Sequence, residues 1–248
     1  LYSFMPYAFF KQYALFFLYL SVGFVPYFYT IDIIGAQWFY LSILNFILIV
    51  FFLTSKHSLI IFKSFISNFV IKLFLVFLFF ALISLIFTKN FSLSLVDLSR
   101  QFIVLFSLLN LTYLFFVNKF DLINFSYLVS IVLLIELLFS FYPLVEYLIY
   151  NPLFEIDLKV VPYGMKGIAG NKNVVAANYA FKLPFILYLL FNTNGLVRYL
   201  YSFLFAALIT VIYLLTSRAA YLSSAFVIMI FIIYYLYYNL NLFKKSFF

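Results

Sequence analysis

The chain is a succession of long apolar runs, most of them close to twenty residues, separated by short polar breaks. The runs are continuous rather than alternating, which excludes the every-second-residue pattern of an outer-membrane barrel. A helix needs about 20 apolar residues to cross a hydrocarbon core roughly 30 Å thick. By that measure eight spans are predicted, over 7–25, 33–53, 69–87, 100–117, 122–142, 173–191, 198–215 and 219–238. Pro26, Gly35, the run Thr54-Ser55-Lys56-His57-Ser58, Lys89-Asn90, Asn118-Lys119, Asn192-Thr193-Asn194-Gly195 and Thr216-Ser217-Arg218 supply the breaks. The expected fold class is all-α, a polytopic transmembrane helical bundle.

Composition excludes the soluble alternative. Of 248 residues, 68% are hydrophobic and 9% charged, against about 45–50% and about 25% in a soluble domain. Mean hydropathy is +1.19. Too little polar surface exists to cover a particle of this size, so lipid must solvate it. With no cysteine, disulfide scaffolds, thiolate metal sites and cysteine nucleophiles are excluded. The single histidine, His57, excludes a multi-histidine metal cluster, and no cofactor is implied.

Fifteen Lys and Arg against seven Asp and Glu give a net charge of +8. The basic residues are scattered singly through the breaks, not gathered into a stripe, so nucleic acid is not an expected partner. The chain begins inside an apolar stretch at Leu1 and ends in Lys244-Lys245-Ser246-Phe247-Phe248, as if another span followed. A fragment of a longer protein is expected.

One connection differs from the rest. Residues 143–172 form a single long loop with Pro143, Pro152, Pro162 and three of the six glycines, Gly164, Gly167 and Gly170. Long loops are usually functional or disordered. If it lies outside, the inside loops hold Lys56, Lys63, Lys119, Arg198, Lys244 and Lys245. The outside then holds Lys89, Arg100, Lys159, Lys166, Lys172 and Arg218. The positive-inside rule supports that orientation once Lys159, Lys166, Lys172 and Arg218, in or beside the candidate functional segments, are set aside.

Two segments carry candidate chemistry. Gly164-Met165-Lys166-Gly167-Ile168-Ala169-Gly170-Asn171-Lys172-Asn173 opens the sixth span. A helix start presents unpaired N–H groups and a positive dipole end, glycines admit close backbone approach, and two lysines add full charges. Together these suit an anion at the membrane surface. The plain alternative is a capped helix after a glycine turn, with Asn171 or Asn173 as the cap. Thr216-Ser217-Arg218 opens the eighth span on the same side, where a guanidinium suits bidentate phosphate contacts. The plain alternative there is an interfacial Arg with Ser217 as cap.

Within the spans, Asn171, Asn178 and Lys182 share one helix face. Lys182 lies about 13 Å from the start of its span at 1.5 Å per residue. An ionisable group at that depth is a functional candidate by default, unless it snorkels. Glu136 is the one acid well inside a predicted span, some six residues below its outer end. It pairs with Lys182 or Arg218, or stays protonated, and it is a weak candidate for a catalytic base.

The segment from Gly167 to Asn173, followed by Ala176, Ala177 and the Leu183-Pro184 step, resembles the O-antigen ligase and O-antigen polymerase-like membrane proteins. Thr216-Ser217-Arg218-Ala219-Ala220 resembles that family's second signature, in the family's order and spacing. The resemblance covers about residues 105–240, within an O-antigen ligase-like region expected over 105–248, with 1–104 as N-terminal transmembrane helices similar only in hydropathy. It implies a ten- to twelve-span glycosyltransferase of surface polysaccharide biosynthesis in the bacterial inner membrane. Its donor would be a polyprenyl pyrophosphate-linked glycan and its acceptor a glycan or lipid, met at the outer face. Lys166, Lys172 and Arg218 would contact the pyrophosphate, and Asn171 and Asn173 would shape the loop or touch sugar. The family's later outer loop, with a further Arg and in ligases a His, has no counterpart in this chain, so these 248 residues alone are expected to be inactive. A transporter or flippase of lipid-linked oligosaccharide and a non-catalytic membrane subunit are the competing expectations.

Overall fold

The structure, a computed structural model, describes residues 5–26, 28, 32, 34–118, 121–150, 164, 165, 167 and 170–246, and among these the side chains outside 5–12, 118 and 238–246. Among the described residues every regular element is helical: α1 (Met5–Leu20), α2 (Gly35–Thr54), α3 (Ser58–Ser67), α4 (Phe69–Ser84), α5 (Phe91–Asn118), α6 (Leu122–Tyr150), α7 (Lys172–Asn192), α8 (Leu196–Leu214) and α9 (Arg218–Ser246). Short 3-10 turns, Ser21–Phe24 and Leu85–Phe87, extend α1 and α4. Lipid offers no hydrogen bonds, so apolar runs of this length must satisfy their backbone internally. The hydroxyls inside the spans do the same: Ser42, Thr112, Ser126 and Thr210 each donate to the carbonyl four residues back. Among the described residues seven helices are long and apolar enough to cross a membrane, and the chain is a multi-pass membrane protein. They match the second to eighth predicted spans.

Four boundaries moved. The expected loop from Pro143 is helical through Tyr150, because α6 runs through Pro143, and its residues 151–163 lie outside the described residues. A proline removes one backbone donor, a loss that a neighbouring helix can absorb inside a membrane. The expected loop residue Arg100 lies within α5, which starts at Phe91 rather than 100. Asn90 accepts from the backbone of Leu93 to cap it, and Arg100 bonds Asp97 at 3.0 Å, so neither charge halts the helix. Gly35, expected as a turn, is the first residue of α2. The polar break after Thr54 is only partly a break, since α3 fills most of it before Asn68 caps α4.

The chain divides by packing into two compact units, Leu1–Val22 with Ile34–Asp121, and Gly23–Ile33 with Leu122–Phe248. The first is centred on Phe52, Ile61, Phe65, Ile71 and Leu109. A buried polar knot lies beside them. Asn45 Oδ1 accepts from Tyr19 at 2.6 Å and from Asn110 at 3.0 Å, while Asn45 Nδ2 donates to Ser107 and the Ile103 carbonyl. Side-chain amides are common cross-links between helices in lipid. The second unit is built around α7, half of whose span is buried. Leu183, Ile186 and Leu189 of α7 meet Leu133 of α6, Leu208 and Val211 of α8, and Ala220 of α9 in one core.

Candidate functional site

The second unit brings the two predicted segments together. Asn171 caps α7, its side chain accepting from the Asn173 backbone at 2.9 Å. Before it, Gly167 and Gly170 adopt φ of 58° and 72°, the left-handed region that glycine enters freely. The Gly170 N–H closes the turn onto the Gly167 carbonyl. Met165 is fully buried in the core, which ties this stretch down onto the helices.

From the first turn of α7, Lys172 Nζ donates to Thr216 Oγ1 at 3.3 Å. Thr216 is the one described non-glycine residue with positive φ, at 54°. A β-branched residue there is strained, and such strain concentrates at functional sites. The turn is held by the Tyr221 hydroxyl, which donates to the Tyr213 carbonyl while the two rings stack 6.2 Å apart. Arg218 follows as the first residue of α9, exposed and without a side-chain partner among the described residues. The N-termini of α7 and α9 therefore share one end of this unit, with a lysine and an arginine beside them. Asn173 is exposed there too. Lys166 lies outside the described residues.

Below that end, α7 and α9 leave an apolar groove of about 510 Å³. Its floor is four alanines, Ala177 and Ala180 of α7 with Ala219 and Ala220 of α9, beside Pro184 and Ser223, and Phe181, Phe185 and Val227 complete the lining. The groove thus begins one residue from Arg218.

Lys182 does not belong to this surface. It is 4% exposed and ten residues from either end of α7, about 15 Å at 1.5 Å per residue. Its Nζ donates to Glu136 Oε2 at 2.5 Å, while Asn178 Nδ2 donates to Glu136 Oε1 at 3.0 Å. Glu136 is 6% exposed and central in α6, not six residues from its end, because α6 is eight residues longer than the predicted span. The snorkelling alternative for Lys182 is thereby excluded, and of the readings offered for Glu136 the geometry selects the pair with Lys182. Tyr179 completes the cluster, donating to the Glu136 carbonyl at 2.9 Å and meeting Ser140 Oγ at 2.6 Å.

Sequence reasoning missed Gly23, Tyr179 and Ser140. A Cβ on Gly23 would stand 2.5 Å from Glu136 Oε1 and 3.2 Å from Asn178 Nδ2, so this glycine admits the carboxylate. The available signal was weak: a lone glycine inside an apolar run. Among the described residues no group of three metal-ligating side chains occurs.

No family model matches the chain, and no curated protein and no solved structure shows significant similarity to it.

Proposed function

We propose that the protein is a membrane glycosyltransferase that transfers or polymerises glycan from a polyprenyl pyrophosphate carrier at the outer face of a bacterial cytoplasmic membrane. One observation carries the reading: Lys172 rests on Thr216, two residues before Arg218, at the head of an apolar groove. Fixed cations and two helix N-termini suit a diphosphate, and they stabilise the charge that grows on it as the glycosyl bond breaks. The groove suits the first units of a prenyl chain in the same molecule. Arg and Lys supply the neutralisation without a metal.

The test is complementation of a strain lacking the gene. Arg218→Lys and Lys172→Ala should each abolish or sharply reduce surface polysaccharide, with lipid-linked glycan accumulating outside the membrane. Normal polysaccharide from both variants would remove the pyrophosphate site and favour a non-catalytic subunit. Accumulation on the inner side would favour the flippase reading. That second reading draws on Glu136 and Lys182, since buried charges at such depth often mark transport routes. Against it, Asn178 occupies the second carboxylate oxygen, and both charges are nearly inaccessible.

A further inference from the structure

The connection between α2 and α4 belongs to the first unit and has no part in the site above. Both flanking helices are long and apolar enough to cross a membrane, so residues 55–68 lie at one membrane face. Within them α3 has ten residues, about 15 Å of helix and too short to cross. At 100° per residue its side chains leave in three directions. Ile61 and Phe65 are buried in the core of the unit. Leu59, Phe62 and Ile66 form a second apolar stripe that is exposed. Lys63, Ser64 and Ser67 fill the remaining arc, also exposed, together with Ile60. A helix with one stripe on the protein and another facing outward at a membrane face lies along the acyl boundary, its polar arc among headgroups.

The charge on α3 and its two flanks has one sign. Lys56 precedes α3, Lys63 lies within it, and Lys72 stands in the first turn of α4; all three are exposed. None has an ion-pair partner among the described residues. Residues 33–96 contain no Asp or Glu. The His57 ring lies 6.0 Å from Phe116, so the last turns of α5 adjoin α3. The charges that follow α5 in sequence, Lys119 and Asp121, have opposite signs and offset each other.

We propose that α3, with Lys56, Lys63 and Lys72, is a binding site for the headgroups of anionic phospholipid. Leu59, Phe62 and Ile66 enter the acyl boundary and hold the helix at the depth where three ammonium groups meet phosphate. The lysines attract the acidic lipid, and the apolar stripe fixes where it is held.

The test uses the whole chain in vesicles. Trp38→Phe removes the one tryptophan, and Phe62→Trp places an indole on the exposed stripe. Phosphatidylcholine vesicles then receive a small fraction of brominated phosphatidylglycerol or brominated phosphatidylcholine, and quenching of the indole is compared. The anionic lipid should associate at least about fivefold more strongly, the attraction that one lysine provides near a charged surface. Lys56→Gln with Lys63→Gln and Lys72→Gln should bring the ratio towards one, and Lys89→Gln, at the far end of α4, should leave it unchanged. Salt at about 0.5 M should also abolish the preference in the parent, where the lysines are intact. Equal quenching by the two lipids in the parent would overturn the proposal. So would a preference that survives both the triple substitution and high salt.

Discussion

Lys182 Nζ and Glu136 Oε2 meet at 2.5 Å, each side chain less than a tenth exposed, at the centre of α7 and of α6. In the acyl interior neither charge has water to return to. Each makes the other tolerable, and Asn178 adds a second donor to the carboxylate.

Removing one partner is therefore expected to cost more than removing both. Lys182→Met or Glu136→Leu alone should destabilise the second unit by about 3–5 kcal/mol, since each strands a buried polar group. The double variant should recover most of that loss. Thermal unfolding of the four proteins in one detergent provides the cycle. Equal costs that simply add would mean the pair is not coupled.

Gly23 should tolerate no side chain. In Gly23→Ala the new methyl carbon would stand 2.5 Å from Glu136 Oε1, and relief requires the buried carboxylate to move. A loss of about 1–3 kcal/mol is expected, as for overpacking elsewhere. Repeating the substitution in a Glu136→Ala background should reduce the loss, and an undiminished loss would place its cause elsewhere.

In the first unit, Asn45 is the hub and Asn110 a spoke. Asn45→Leu strands the Tyr19 hydroxyl and the Asn110 amide together, whereas Asn110→Leu also removes an amide oxygen that has no partner among the described residues. The first should cost about 1–3 kcal/mol and the second clearly less. Unfolding midpoints of the two variants, compared under one condition, decide the order.

Thr216 separates backbone strain from chemistry. Thr216→Gly relieves a left-handed φ of 54° and should stabilise the turn by about 1 kcal/mol. It also removes the hydroxyl that Lys172 contacts. On the proposed function, a more stable protein with reduced surface polysaccharide is expected. Full activity would show that the hydroxyl contact is dispensable.

The groove offers a test that leaves the cations alone. Ala177 is exposed and lines the groove, so Ala177→Phe should fill it at little cost to folding. Surface polysaccharide should fall severalfold while the unfolding midpoint stays within a degree or two. An unchanged polysaccharide level would remove the groove from the proposal.

The sequence by itself determined that the chain crosses a membrane many times as helices, because continuous apolar runs in lipid have no other way to satisfy their backbone. It also marked the ends of α7 and α9, because glycines, Asn171 and the Thr216-Ser217-Arg218 break act over a few residues. Tertiary structure alone decided which of those ends meet. Lys172 and Thr216 are 44 residues apart, and their contact follows from how α8 returns the chain. The extension of α6 through Pro143 was also out of reach, since a proline removes a backbone donor and locally reads as a helix end, a loss that a membrane bundle can tolerate. Lys182 shows the division most sharply. Its depth was readable from spacing, but Glu136 had two candidate partners, Lys182 and Arg218, until α6 and α7 packed side by side, and Gly23 owed its place to a side chain 113 residues away.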